Sequence, residues 1–386
     1  MKVTDIKTFA VDCFRTNWVF VKVYTDEGID GVGEATLEYK EKALLGAVEH
    51  IKDYLVGKNP MEIEKHWHAI YRDAYWRGGP VLMSALSAVE TALWDTLGKY
   101  LGVPIYQLLG GRANDKVRIY VNGWFSGARE PYEFAEKAKI AVGRGVTALK
   151  WDPFGKNYLE ISNNELDKAM RCVSAVRQAV GNEVDLLIEG HGRFNIPTSI
   201  KIAKELEQFK PMFFEEPVPP DNLDALKEVR DKSPVAISAG ERLYTRWDYK
   251  RMFDLMAADY IQPDISHAGG IMELKKIAAD AECRYIAFAP HNPSGPVANA
   301  ATLQLAACCP NFSILEIMYS DVSYRKDITD EKLTYADGYI TIPDKPGLGI
   351  EINEDECLKH PYKMHTLRHY TGALTDIRPP ETEFYF

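Results

Sequence analysis

The feature that most constrains this chain is a series of eight short apolar runs between residues 117 and 317, each separated from the next by a longer amphipathic stretch. They read VRIYVNG, VTALKW, VDLLIEG, PMFFEEP, VAISAGE, ADYIQPD, RYIAFAPH and FSILEI. Strands that alternate with helices must lie parallel, because a parallel neighbour is reached only through a crossover. Eight such units over about 200 residues suit a closed barrel better than an open doubly wound sheet, and no GxGxxG fingerprint follows the first run. The expected fold class is therefore α/β, a (β/α)8-type barrel.

Seven of the eight runs end on or beside a polar side chain able to do chemistry: Lys150, Glu189, Glu215, Glu241, Asp264, His291 and Glu316. From Glu189 onward they recur at intervals of roughly 25 residues, the length of one βα unit, so a barrel gathers them at its C-terminal mouth. Glu189, Glu215 and Glu241 fall on three successive strands, and three carboxylates facing one point repel unless a hard cation lies among them. Magnesium is the expected occupant, one ion per chain. Glu216 follows Glu215 and, by strand alternation, is expected on the opposite face in a structural role. Asp264 and His291 close neighbouring strands, where an aspartate can orient an imidazole as a general base. His191 lies in EGHGRF on a glycine-flanked loop and could be a ligand, a general acid or a loop residue. Lys150 and Asp152 share one face of their strand, so the lysine could contact a substrate carboxylate, move a proton, or pair with Asp152. His50, His66, His68, His267, His360, His365 and His369 show no comparable placement.

The rest of the chain frames this repeat. WVFVKVY leads into the glycine-punctuated TDEGIDGVGEA, an antiparallel hairpin pattern, and residues 41–100 turn helical. Residues 1–112 are thus expected to form a small α+β domain, 113–325 the barrel, and 326–386 a segment packing back on the first domain, which the resemblance described below makes a cap over the barrel. The formal net charge of -10 argues against a nucleic acid or an anionic membrane as partner. Six scattered cysteines without a CxxC pair, and no secretory or membrane-spanning run, point to a cytoplasmic protein.

At these residues the sequence resembles the enolase superfamily, in its mandelate racemase subgroup, and within it the galactonate and gluconate dehydratases. The likeness runs through TDEGIDGVGEA, YWRGGPVLMSALSAVETALWD, KWDPFG, EGHGRFN, FFEEPV, AGERLYTRWDYKR, QPDISHAGG, APHNPSGP and PGLGIEI. It implies magnesium on Glu189, Glu215 and Glu241, a general-base dyad of Asp264 and His291, and His191 as the acid that expels a hydroxyl. Glu316 then hydrogen-bonds the developing enolate, and Lys150 assists as acid, base or substrate contact. Trp18, in a capping loop over the site, is expected to bind substrate with Asp152, Arg193 and Asn292. Two positions depart from the pattern: Glu189 stands where Asp is more familiar, and Asp152 where racemases of the subgroup carry the second lysine of a KxK motif.

The reaction so implied removes the α-proton of an aldonate and eliminates its 3-hydroxyl, giving a 2-keto-3-deoxy acid. The partner is a small anionic sugar acid, and the resemblance suggests an even-numbered homo-oligomer such as an octamer. Rival readings are a racemase or epimerase on the same site, short of a second base opposite His291 unless Lys150 serves, and a non-catalytic sugar-acid-binding homologue. EGHGRFN and KWDPFG lean toward gluconate-type relatives, GERLYTRWDYKR and APHNPSGP toward galactonate-type ones.

Overall fold

The structure, a computed structural model, describes residues 1–73, 75–331, 333–365 and 383–384; His369 lies outside them. The chain opens with an antiparallel meander of β1 (Val3–Asp12), β2 (Asn17–Thr25) and β3 (Gly31–Glu34), followed by α1 (Glu41–Leu55), α2 (Ile63–His68), α3 (Pro80–Leu101) and α4 (Ile105–Leu108). Helix α3 begins with proline at its first turn and stops at Gly102, which takes φ +70, the left-handed conformation that closes a helix at little cost in glycine. The glycines of GVGE explain how β3 lies on α3. A Cβ at Gly31 or Gly33 would stand 2.0 or 1.9 Å from the carbonyl oxygens of Ala92 and Ala88, so only glycine lets the two backbones meet.

The eight apolar runs form eight parallel strands: β4 (Lys116–Asn122), β5 (Ala148–Trp151), β6 (Asp185–Glu189), β7 (Phe213–Glu215), β8 (Ile237–Ala239), β9 (Tyr260–Ile261), β10 (Ala287–Phe288) and β11 (Leu315–Met318). Strand β11 returns to pair with β4, from Leu315 opposite Ile119 to Met318 opposite Asn122. Between β10 and β11 the ring is joined by Ser313 N–H donating to the Phe288 carbonyl at 2.8 Å. Helices α5 (Pro131–Gly143), α6 (Asn163–Val180), α7 (Ile196–Leu206), α8 (Leu223–Lys232), α9 (Arg246–Leu255), α10 (Gly270–Glu282) and α11 (Pro296–Ala307) follow the first seven strands. Among the described residues, the eighth is followed by β12 (Ser320–Asp321) and the single-turn α12 (Arg325–Ile328). Asn195, Asn222 and Thr245 cap α7, α8 and α9 with side-chain oxygens, which fixes where each strand-to-helix loop turns.

Alternation along the strands builds the barrel interior in layers. Tyr120, Ala148, Leu187, Phe213, Ala289 and Ile314 form a buried apolar floor. Two residues further along each of those runs stands a polar group: Asn122, Lys150, Glu189, Glu215, His291 and Glu316. A period of two puts them on the same inward face, one layer nearer the mouth.

The C-terminal segment was expected to return to the cap, and it first serves the barrel. The hairpin of β13 (Tyr335–Ala336) and β14 (Tyr339–Thr341) extends β4 antiparallel, Tyr339 opposite Arg118. Contacts with the cap follow: Leu348 N–H donates to Asp95 at 2.7 Å, α13 (Glu354–Lys359) packs near β1, and Asp12 N–H donates to the His360 carbonyl at 3.0 Å. The short β15 (Glu383–Phe384) pairs with β12. No described helix is long and apolar enough to cross a membrane.

Candidate active site

A cavity of about 420 Å³ opens at the barrel mouth, closed above by Arg15, Thr36, Leu37 and Tyr39 of the cap. At its base, one oxygen from each of Glu189, Glu215 and Glu241 lies within 4.8 Å of the others. Lys150 stands among them, its Nζ 2.7 Å from Glu215 Oε1, 3.0 Å from Glu316 Oε1 and 3.5 Å from Glu189 Oε2. The prospect of a Lys150–Asp152 pair is corrected here. Lys150 runs inward over the Tyr120 ring, while Asp152, one layer higher, leans toward the loop after β6.

Burial and then the neighbouring charge of Glu189 push the Glu215 carboxyl well above its ordinary range. Glu189 rises to about 7, burial outweighing the pull of Lys150. Glu241 goes the other way: burial would raise it, but His291, Arg242 and Lys150 bring it down to about 2. Two buried carboxyls that burial and mutual repulsion keep from ionising, beside a third that is ionised, are a set that a bound cation would stabilise. Glu215 Oε2 is buried without a hydrogen-bond partner, and the donor set is oxygen only, which fits a hard divalent ion such as magnesium.

Two imidazole–carboxylate pairs flank this cluster. On one side, His291 Nδ1 lies 2.7 Å from Asp264 Oδ2, and Ser266 N–H donates to Asp264 Oδ1 at 2.7 Å. With the carboxylate able only to accept, the proton is assigned to Nδ1, and Nε2 faces Glu241 Oε2 at 3.4 Å. Burial alone would favour the neutral ring, but Glu241, Asp264 and Glu316 raise His291 to about 10. On the other side, His191 Nδ1 lies 2.7 Å from Asp152 Oδ2. That same oxygen accepts from Arg193 Nη2 at 2.6 Å, and Phe154 N–H donates to Oδ1 at 2.8 Å. Burial works against the Asp152 carboxylate, yet Arg193 and His191 hold it below its ordinary value. The His–Asp pairs come from β9 and β10 and from β5 and β6, so they stand four strands apart in a ring of eight.

Three residues expected to bind substrate do not line the cavity. Trp18 is 1% exposed and packs against the Gly295 backbone, where a Cβ would meet its Cδ1 at 2.9 Å. Arg193 is fully buried, its guanidinium spent on Asp152 and the carbonyls of Gly155 and Gly190. Asn292 is buried, bonded to Asn299 and to the Glu316 carbonyl. Each holds up the wall instead of facing the cavity. Asp152, also expected to bind substrate, does reach the cavity wall, as do His191, His291, Lys150 and Glu316.

Other residues reach the cavity unforeseen. Glu216, expected on the far face, lines it in an ion pair with Arg242, because its φ of +37 breaks the strand alternation at that residue. His267 also lines it, its Nδ1 2.8 Å from Ser84 Oγ of the cap and its Nε2 3.8 Å from Asp264 Oδ2. Its place in DISH, three residues past Asp264, was the available signal. Arg15 carried none, since its position depends on cap docking. His66 and His365 bond elsewhere, to the Asn59 carbonyl and to Asp12.

A capping α+β domain over a barrel whose mouth carries three carboxylates and an Asp–His pair defines a class, and the chain belongs to the mandelate racemase/muconate lactonizing enzyme family of the enolase superfamily. Residues 6–110 match its N-terminal domain and residues 133–356 the enolase C-terminal domain-like family. Within it, the chain is 39% identical over 367 residues to the D-galactonate dehydratase of Pectobacterium atrosepticum, covering 92% of this chain and 93% of that protein. It is 38% identical to the D-galactonate dehydratase of Ralstonia pickettii, over 97% of this chain and 100% of the relative. A solved enolase superfamily member from Salmonella Typhimurium superposes with a TM-score of 0.89 at 31% identity, covering 93% of this chain and 98% of the other.

Proposed function

We propose that this protein is a hydro-lyase that converts an aldonate of the galactonate or gluconate type to a 2-keto-3-deoxy acid. The observation that carries the reading is the pair of His–Asp units on opposite arcs of the mouth, with the three glutamates between them. Elimination of water needs a base for the α-proton and an acid for the leaving hydroxyl, and two imidazoles on two sides of one substrate supply both.

Their surroundings separate the roles. His291 has Nδ1 held by Asp264 at 2.7 Å and turns Nε2 toward Glu241 at 3.4 Å, on the side where the glutamates would hold the metal and with it the substrate carboxylate, so Nε2 takes the α-proton. His191, across the mouth with Nδ1 held by the Asp152 that also binds Arg193, lines the cavity from the opposite side, so its Nε2 delivers a proton to the departing 3-hydroxyl. One magnesium ion held by Glu189, Glu215 and Glu241 would, when bound, draw off the negative charge that grows on the substrate carboxylate as the α-proton leaves. Lys150, kept protonated by Glu215, Glu316 and Glu189 despite its burial, adds fixed positive charge on the same side. Glu316, held in the ionised form by Lys150 and His291, accepts from Asn122 at 3.0 Å and keeps that side chain in place.

A panel of aldonates incubated with enzyme and magnesium, and read for 2-keto acid formation, tests this. No product from any galactonate or gluconate epimer overturns it. A second reading gains from one observation. Epimerisation at C2 needs a base opposite His291, and the Asp152–His191 pair offers one where the sequence pointed only to Lys150. Proton spectra of the recovered substrate distinguish the two, because an epimerase yields the C2 diastereomer and no keto acid.

A further inference from the structure

The cap grips the segment that follows His291 at three backbone points. Glu34, the last residue of β3 and 3% exposed, accepts from Gly295 N–H at 2.6 Å through Oε1 and from Ala298 N–H at 2.9 Å through Oε2. Thr36 Oγ donates to the same carboxylate at 2.5 Å, and Thr36, with Leu37 to Tyr39 and Arg15, forms the cap's share of the cavity wall. Four residues after His291, Gly295 lies against Glu34 and Trp18, so a Cβ there would stand 2.8 Å from Glu34 Oε1 and 2.9 Å from Trp18 Cδ1. Arg15 of the β1–β2 turn pairs with Glu38 and also donates to the Pro293 carbonyl. The segment 293–298 is therefore gripped by the cap at a carbonyl and at two N–H groups. On the opposite side of the mouth, Asp152 is held by Phe154, His191 and Arg193, all from the barrel itself.

We infer that Glu34 is a positioning residue for the base: it holds the 291–295 loop so that His291 meets both Asp264 and the substrate's α-carbon, and it ties that geometry to the docked cap. The inference rests on His291 being the base, as proposed above. A carboxylate can accept from both N–H groups, one with each oxygen, whereas a glutamine has one accepting oxygen and would set its NH₂ against the other donor. Glu34→Gln should therefore displace the loop without adding or removing volume.

The test uses the full-length, magnesium-loaded enzyme and whichever aldonate the wild type turns over. Glu34→Gln should lower kcat by about 10²-fold, the scale of a misplacement near 1 Å, while KM changes by less than about threefold. Gly295→Ala, which pushes the loop off Glu34 and Trp18, should give the same split, and it carries the test if the first variant folds poorly. Asp95→Asn is the control. Asp95 is an equally buried cap carboxylate accepting backbone N–H groups from Val32 of β3 and Leu348 of the C-terminal segment, but it bonds no site loop. It should lower the melting temperature and leave kcat within about threefold of wild type. An unchanged kcat in Glu34→Gln overturns the proposal, and so does an equal loss in Asp95→Asn, which would reduce Glu34 to general stability. Crystal structures of wild type and Glu34→Gln give a readout independent of turnover: the variant should lose the 2.7 Å His291–Asp264 contact, and an unmoved loop refutes the inference even if no aldonate proves to be a substrate.

Discussion

Replacing Arg193 by methionine separates a structural guanidinium from a substrate-binding one. Arg193 is fully buried and shares Asp152 Oδ2 with His191, so the variant leaves a buried carboxylate without its main counter-charge. Removing one partner of a buried pair costs about 3–5 kcal/mol. A second route gives the same scale: if Asp152 escapes by taking a proton at pH 7, about three units above its ordinary value, the cost at 1.36 kcal/mol per unit is about 4 kcal/mol. With an unfolding entropy of about 2.1 cal/mol/K per residue over 386 residues, 4 kcal/mol lowers Tm by about 5 °C. The sign of the pH dependence follows from the direction of the shift. Asp152 is held below its unfolded value, so its contribution is complete above about pH 4 and is lost as the pH falls through the folded value. The gap in Tm between wild type and variant should therefore be widest near neutrality and shrink in acid, as read by calorimetric melts between pH 3 and 8. In turnover, kcat should fall because His191 loses the fixed aspartate that aligns it, while KM stays near wild type. A large rise in KM with an unchanged Tm would refute the argument and return Arg193 to the substrate.

Three further outcomes are expected. Glu215→Gln should weaken magnesium binding by at least about tenfold in titration calorimetry, since it removes one ligand charge, and chelation of the wild type should abolish turnover. His291→Asn should lose both dehydration and exchange of the α-proton in deuterated solvent. His191→Asn should lose dehydration and retain exchange, so equal behaviour in the two variants would defeat the division of roles. Glu90, pushed up to about 8 by burial, binds a proton in the folded state that the unfolded chain releases above about pH 4.5. Stability should then decline as the pH rises from about 5 to 8, by up to about 4 kcal/mol, and Glu90→Gln should flatten that slope in thermal melts.

The sequence by itself determined where the chemistry gathers. Strand alternation is local, so polar groups two residues beyond each apolar floor position had to face inward one layer nearer the mouth, which placed Glu189 and Glu215; Glu241 recurs one βα unit further on and joins them past Gly240, whose φ of +130 breaks the alternation. The Asp264–His291 pairing was legible for the same reason, because neighbouring strands supply both members. Partner choice elsewhere was not. Lys150 and Asp152 share a strand face, yet a long side chain can cross the barrel to Glu215 and Glu316 while a short one stays at the rim and takes His191 and Arg193. Glu216 entered the cavity through a single left-handed residue, which no periodicity announces. Trp18 lies beneath the base loop, and Glu34, Arg15 and Ser84 reach the barrel, through the docking of a domain far away in sequence. Periodicity fixes the face a side chain points to; what meets it there depends on side-chain reach, loop dihedrals and domain contact, and those exist only in the folded molecule.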